Sequence, residues 1–268
     1  MKKTSTRLEG ATLLAALTLG VTPAFAESSP DPGTWSGPYL SAFAVGASSE
    51  VRGTSTRGDG SFGSNANDES AHDSFRGAGA GVLLGYQRHY PGGIILGVEA
   101  DWAGLGQDGR QDTLVNSANA WSGMLQASIV RETQWLSTAR VRLGYGSGPF
   151  MVSITGGLAM ASLVETRTQY EGLNAPTRTV ARFSERDEAH PLGWVLGVSA
   201  AWRMNDAWSL RADYLQAHFD QVGFGFPDAR GGVVSGSGFA SVQGRSVRND
   251  VYVDMFRLGL TYSFGATR

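Results

Sequence analysis

From Trp135 to Tyr145 apolar and polar residues alternate. Trp135, Ala139, Val141, Leu143 and Tyr145 fall on one face, and Thr138, Arg140 and Arg142 fall on the other. A period of two is the signature of a strand, since successive side chains point to opposite sides of a sheet. Gly146-Ser147-Gly148-Pro149 interrupts the pattern with turn chemistry. Phe150, Val152, Ile154, Leu158 and Met160 then resume it. The segment reads as one hairpin, apolar on one side and arginine-bearing on the other, with aromatic rings at the ends of the apolar side. A soluble sandwich turns such a face into a core. A membrane barrel turns it towards lipid, with rings at both interfaces.

The same alternation recurs along the chain. A first strand, about 39–47, places Tyr39, Phe43 and Val45 on one face and Ala42, Ala44 and Gly46 on the other. A second, about 76–87, carries Val82, Leu84 and Tyr86 outward and Gly79, Gly81, Gly85 and Gln87 inward. A third, about 94–104, opposes Ile94, Leu96, Val98, Ala100 and Trp102 to Gly97, Glu99 and Asp101. After the hairpin, a sixth strand (about 191–203) sets Leu192, Trp194, Leu196, Val198 and Trp202 against small and polar residues. In the seventh, Trp208, Leu210, Ala212 and Tyr214 alternate with Ser209, Arg211 and Asp213. The last, about 251–264, puts Phe256, Leu258, Leu260, Tyr262 and Phe264 against Met255, Arg257, Gly259 and Thr261. Most of these runs are long enough for a tilted membrane crossing, which needs about 9–11 residues.

The connections decide between sandwich and barrel. Three are short: 89–93, 146–149 and 204–207. Four are long and polar: 49–74, 106–132, 162–189 and 221–250. The second half of 106–132 is able to extend a flanking strand. Short and long alternate without exception, as in barrels with short periplasmic turns and long extracellular loops. A sandwich has no reason to sort its loops this way. Closing the sheet also removes edges that lipid cannot satisfy. The expected fold is all-β: an eight-stranded antiparallel transmembrane up-and-down β-barrel.

The N-terminus changes the picture only in what must be set aside. Lys2, Lys3 and Arg7 precede an apolar run from Ala11 to Val21, and Ala24-Phe25-Ala26 fits a cleavage site. Residues 1–26 read as a secretory signal peptide. Residues 27–36 read as a flexible lead, and 37–268 as the barrel with four long extracellular loops. The 268-residue chain has no cysteine, which excludes a disulfide-stapled secreted domain. Removing Lys2, Lys3, Arg7 and Glu9 with the leader leaves 19 basic and 23 acidic side chains, a net charge of −4 that argues against a nucleic-acid partner. A mean hydropathy of −0.15 is too polar for a helical membrane protein, but a barrel needs apolar residues only at alternate strand positions.

The segments WSGPYLSAFAVG, GGIILGVEADW, WLSTARVRLGYGSGPFMVSITGGLA, NDAWSLRADYL and VDMFRLGLTYSF cover the strands and leave the loops unmatched. Through them the chain resembles the small eight-stranded outer-membrane barrels of the opacity and outer-membrane-protein-A-like type. Among these it is most similar to the 25–31 kDa envelope proteins of alpha-proteobacteria. The resemblance implies the cell outer membrane of a Gram-negative bacterium, contact with lipid and lipopolysaccharide, and delivery by the barrel-insertion machinery. It also implies a terminal aromatic for that machinery to read, whereas here Gly265-Ala266-Thr267-Arg268 follow Phe264.

If the apolar faces meet lipid, the opposite faces meet in the lumen. They bring Glu99, Asp101, Arg140, Arg142, Arg211, Asp213 and Arg257 together, three acids and four bases. Eight strands enclose only enough space for side chains, and buried charges must pair. A salt-bridged plug and a charged gate that opens to ions both fit this residue set. Arg140 and Arg142 are expected to pair with Glu99 and Asp101 across neighbouring strands. The lipid-interface girdle is expected at Trp102, Trp135, Tyr145, Trp194, Trp202, Trp208, Tyr214, Phe256, Tyr262 and Phe264. Trp208 and Phe264 belong at the periplasmic rim, and Trp102 and Trp135 towards the outer one.

The histidines give no catalytic set. His72, His89 and His190 lie in or beside connections, and His218 with Asp220 is the best base pair available, without a serine partner in sequence. No metal-ligand spacing is evident, and no cofactor is implied. The expected function is a non-enzymatic structural barrel that supports the envelope, with surface loops for adhesion to a host or surface ligand. A narrow porin is the alternative reading, and a lipid A-modifying enzyme the third.

Overall fold

A computed structural model describes residues 35–57, 69–112, 126–171, 180–229 and 244–264; residues 1–26 and most of the 27–36 lead lie outside it. Nine strands form: β1 (Gly37–Arg57), β2 (Glu69–His89), β3 (Ile94–Asp112), β4 (Gln126–Ser147), β5 (Phe150–Glu171), β6 (Val180–Ala189), β7 (Leu192–Arg203), β8 (Trp208–Phe226) and β9 (Arg245–Ser263). All pairings are antiparallel. β1 pairs with both β2 and β9, and β4 pairs with both β3 and β5, so the sheet closes into a ring of eight positions.

β6 and β7 share one of those positions. β5 pairs with β7 up to Met160↔Leu192 and with β6 from Leu163↔Ala189. The break falls at His190-Pro191, because proline has no N–H for the ladder and biases the residue before it. The wall is unlaced above this break. β7 pairs with β8 only from Arg203↔Ser209 to Trp194↔His218. Higher up, two carboxylates of β6 reach across the seam: Asp187 accepts the Gly225 N–H at 2.7 Å, and Glu185 accepts the Asp228 N–H at 2.8 Å.

The strands run further than their apolar alternation. Parts of the expected loops are strand: 49–57, 69–74, 106–112, 126–132, 162–171, 180–189, 221–226 and 245–250. Some of these extensions are polar on both faces, as at Glu165 and Thr166, so alternation carries little contrast there; 221–226 differs, with Val222, Phe224 and Phe226 buried against outward Gln221, Gly223 and Gly225.

The face of β1 is the reverse of the one its bulk suggests. Tyr39, Phe43 and Val45 are buried in the lumen, and Leu40, Ala42 and Ala44 face outward. The reason lies in the neighbouring strand. Tyr39 pairs with Gly85 and Phe43 with Gly81. A Cβ on either glycine would meet the partner's ring at 2.3 or 2.5 Å. β2 leaves interior space empty, and the rings of β1 fill it.

The outer wall is apolar and unpartnered: Leu84, Val141, Phe150, Leu192 and Phe256 are 60–67% exposed. The inner wall is stratified. Trp35, Ile95, Met151 and Ala201 close the end with the short turns. A layer of buried charge follows, and above it Leu83, Leu136, Val195, Leu215 and Met255, from five strands, are each at most 1% exposed. A second polar layer, including Arg131, Glu165 and Asn249, lies nearer the long loops.

Candidate functional site

Parity places the lumen charges. Glu99 and Asp101 are two residues apart on β3, and Arg140 and Arg142 two apart on β4, with Glu99 and Arg140 in direct register. Arg211 and Asp213 lie on β8, where Asp213 is in register with Arg257 of β9. All seven side chains converge in one buried layer.

Glu99 is its centre. Arg211 donates to both its oxygens, at 2.6 and 3.0 Å; Arg140 reaches Oε2 at 3.0 Å; Arg142 Nε lies 3.1 Å from Oε1; and Tyr39 donates its hydroxyl at 2.6 Å. Asp101 accepts from Arg140 at 2.7 Å and Thr138 at 2.8 Å and pairs with Arg257 at 3.0 Å. Asp213 pairs with Arg211 at 2.7 Å and, more loosely, with Arg257 at 3.8 Å. Arg142 does not reach Asp101; it donates to Gln87 at 3.2 Å and Ser199 at 2.9 Å. The Arg257 guanidinium sits 4.5 Å over the Phe43 ring. Tyr39, Gln87, Ser199 and Phe43 belong to this layer and carry no charge that a sequence search would find. Gln87 shares the parity of the β2 glycines and Ser199 that of Gly193 and Gly197 on β7, while Tyr39 and Phe43 are signalled by the β2 glycines they face.

A second cluster joins Arg131 to Glu165 at 2.9 Å and to Asp73 at 3.5 Å, with Asn249 also donating to Glu165. It lies in segments expected to be loops.

On the outer face, Trp208 packs edge-on against Tyr262 at 5.1 Å, and Tyr262 against Phe264 at 5.0 Å, beside the short turns. At the other end Trp194, His218, Tyr252 and Glu50 stand in one row across four adjacent strands. His218 stacks on Tyr252 at 4.2 Å, Trp194 meets His218 edge-on at 5.3 Å, and Arg52 lies 5.9 Å over Tyr252. Ten residues of β8 separate Trp208 from His218. At about 3.4 Å per residue and a tilt near 40° they span roughly 26 Å, close to the ~25 Å apolar band of outer-membrane barrels. Trp102, Tyr145 and Trp202 are exposed on this wall, and Trp135 lies 5.8 Å from His190 near the break. Tyr214 and Phe256 face outward inside the band; Tyr214 and Gln216 both donate to Asp254, at 2.8 and 3.0 Å.

The His218–Asp220 pair exists, at 3.2 Å, but sits between two rings on the outer wall. Among the described residues no three metal-ligating side chains converge.

The family model for the outer membrane protein beta-barrel domain matches residues 12–264. The chain belongs to this family. As a member it is a protein of the Gram-negative outer membrane. It is 29% identical over 136 residues to the 31 kDa outer-membrane immunogenic proteins of Brucella melitensis and Brucella suis, over 50% of this chain and 51% of theirs. The chain thus matches about half the length of these curated relatives. In fold it is similar to the outer membrane protein OprG of Pseudomonas aeruginosa, with a TM-score of 0.52 at 15% identity, over 85% of this chain and 96% of that one.

Proposed function

We propose that this outer-membrane barrel is a non-enzymatic structural component of the envelope. Its lumen is sealed, and its extracellular strand extensions carry loops for adhesion or ligand contact. The observation that carries the reading is the filled interior: an arginine–carboxylate layer lies between the Trp35 cluster and an apolar layer whose side chains are at most 1% exposed. Water and ions have no polar path through such an apolar layer. The strand extensions support a role in display, because a rigid scaffold presents function on its loops. The immunogenic character named for the Brucella relatives is in keeping with surface display. The row of Trp194, His218 and Tyr252 with Arg52 suits contact with lipopolysaccharide headgroups. Delivery by the barrel-insertion machinery is in keeping with this fold.

The test is single-channel recording of the folded protein in a planar bilayer, after a heat-dependent gel shift establishes folding. Silence is the expected result. Steady openings would replace this reading with the narrow porin. A change in lipid A acylation on His218→Ala would replace it with the enzyme.

A further inference from the structure

We propose that the periplasmic end of the lumen binds one monovalent anion of halide size, in a chamber between the arginine layer and Trp35. This goes beyond the sealed-scaffold reading and does not depend on it.

The chamber is small and built from donors. It offers about 10 Å³ to the centre of a water-sized sphere, which is room for a single particle. Trp35, Gln87, Arg142, Ser209, Arg211 and Thr261 are among the residues that line it. Trp35 and Thr261 are 4% and 5% exposed, and Trp35 Nε1 and Thr261 Oγ1 are buried without a hydrogen-bond partner. An indole N–H only donates, and a guanidinium has no acceptor. Gln87 spends its carbonyl oxygen on Arg142, which leaves its amide hydrogens to donate. The hydroxyls of Ser209 and Thr261 donate equally well. No carboxylate lines the chamber.

Charge selects the occupant. The adjoining layer holds Arg140, Arg142, Arg211 and Arg257 against Glu99, Asp101 and Asp213, one positive charge in excess. Arg203 stands beside the chamber, its guanidinium 4.2 Å over the Trp35 ring. An uncompensated buried charge is strongly unfavourable. A water molecule would satisfy the donors and leave that charge; a halide answers both. Sulfate and larger oxyanions exceed the space.

The experiment uses the refolded full-length barrel in detergent. Bromide and iodide quench indole emission on contact, so either ion reports its own position. Titration with bromide in a gluconate background should show a saturable quenching component. That component should vanish in Trp35→Phe and move to higher bromide concentration when chloride competes. The melting temperature should rise with the logarithm of chloride concentration at constant ionic strength, because a ligand of the folded state stabilises it by mass action. Thr261→Val keeps shape and removes one hydroxyl; it should weaken halide binding about tenfold, the worth of one charge-assisted hydrogen bond. Quenching without a saturable Trp35 component, or a melting temperature indifferent to halide, would overturn the proposal and leave a water in the chamber. Saturable binding that Thr261→Val leaves unchanged would overturn this placement.

Discussion

Arg211 and Glu99 meet across the full width of the barrel. Arg211 stands on β8 and Glu99 on β3, four positions apart in a ring of eight, and the guanidinium grips both carboxylate oxygens at 2.6 and 3.0 Å. Neighbouring strands are already held by backbone ladders, whereas this contact ties opposite walls. Arg211→Ala removes it, leaving Glu99 to Arg140, Arg142 and Tyr39 and Asp213 to its loose contact with Arg257. The expected cost is about 3–5 kcal/mol, as for other broken buried pairs, measured by denaturant unfolding in detergent micelles. A loss below about 1 kcal/mol would mean that the layer re-pairs without it.

Tyr39 tests how the layer is supported. Tyr39→Phe keeps the ring and removes the 2.6 Å bond to Glu99, with an expected cost of roughly 1.5–3 kcal/mol for a hydrogen bond to a charged group. Gly85→Val should act on the same bond from the neighbouring strand, since its side chain needs the space the Tyr39 ring occupies. Overpacking of this kind costs about 1–3 kcal/mol. In a double variant the two losses should not add, because they remove one interaction.

The seam between β6 and β8 should respond to pH. Burial, together with the nearby Asp228 charge, pushes the Glu185 carboxyl above its usual range, against the pull of the Asp228 N–H it accepts. A carboxyl raised in the folded state contributes stability that is complete below its unfolded value and lost as pH rises through the folded one. Hydrogen exchange at the Asp228 amide, corrected for intrinsic rate, should therefore show harder opening at pH 4 than at pH 7. Glu185→Gln should flatten that dependence while leaving exchange in β1 and β9 unchanged.

Val141 faces outward within the apolar band and is 65% exposed. Val141→Arg should cost roughly 2–4 kcal/mol in a lipid bilayer, the penalty for arginine near the midplane of a barrel's lipid face. In a detergent whose micelle lets water approach, the same substitution should cost less. Equal unfolding free energies for variant and wild type in bilayers would place this face away from lipid.

Much of this architecture is visible in the order of residues, and the exceptions share a cause. Parity along β3, β4, β8 and β9 separates bulky apolar residues from charged ones, so the side each residue takes can be read directly. On β1 the rule fails. Tyr39 and Phe43 look like lipid-facing rings, and only the glycines opposite them on β2 reveal that the space lies inside. Above the apolar band, residues such as Thr166 and Glu165 are polar on both faces, and a strand there resembles a loop. Which arginine holds which acid depends on distance across the closed ring: Arg140 finds both Glu99 and Asp101, while the Arg211 grip appears only when β8 is set opposite β3. The outer row of Trp194, His218 and Tyr252 needs the register of three strands, which no single stretch contains.

The pairing of β1 with β9 also fixes an order of events. Tyr39 lies opposite Ser263, and Arg57 opposite Arg245, so the rungs that close the ring join residues almost a whole chain apart. Such contacts carry the largest loop-closure entropy and form slowly. Until β9 has been made, β1 has an open edge, and until β1 is held in place, so has β9. Hairpins such as β4–β5 form from neighbouring residues early on, but the barrel as a closed object is available only at the last step. During the interval the two terminal strands are the exposed edges, and protection of those edges governs whether the chain closes on itself or on another copy.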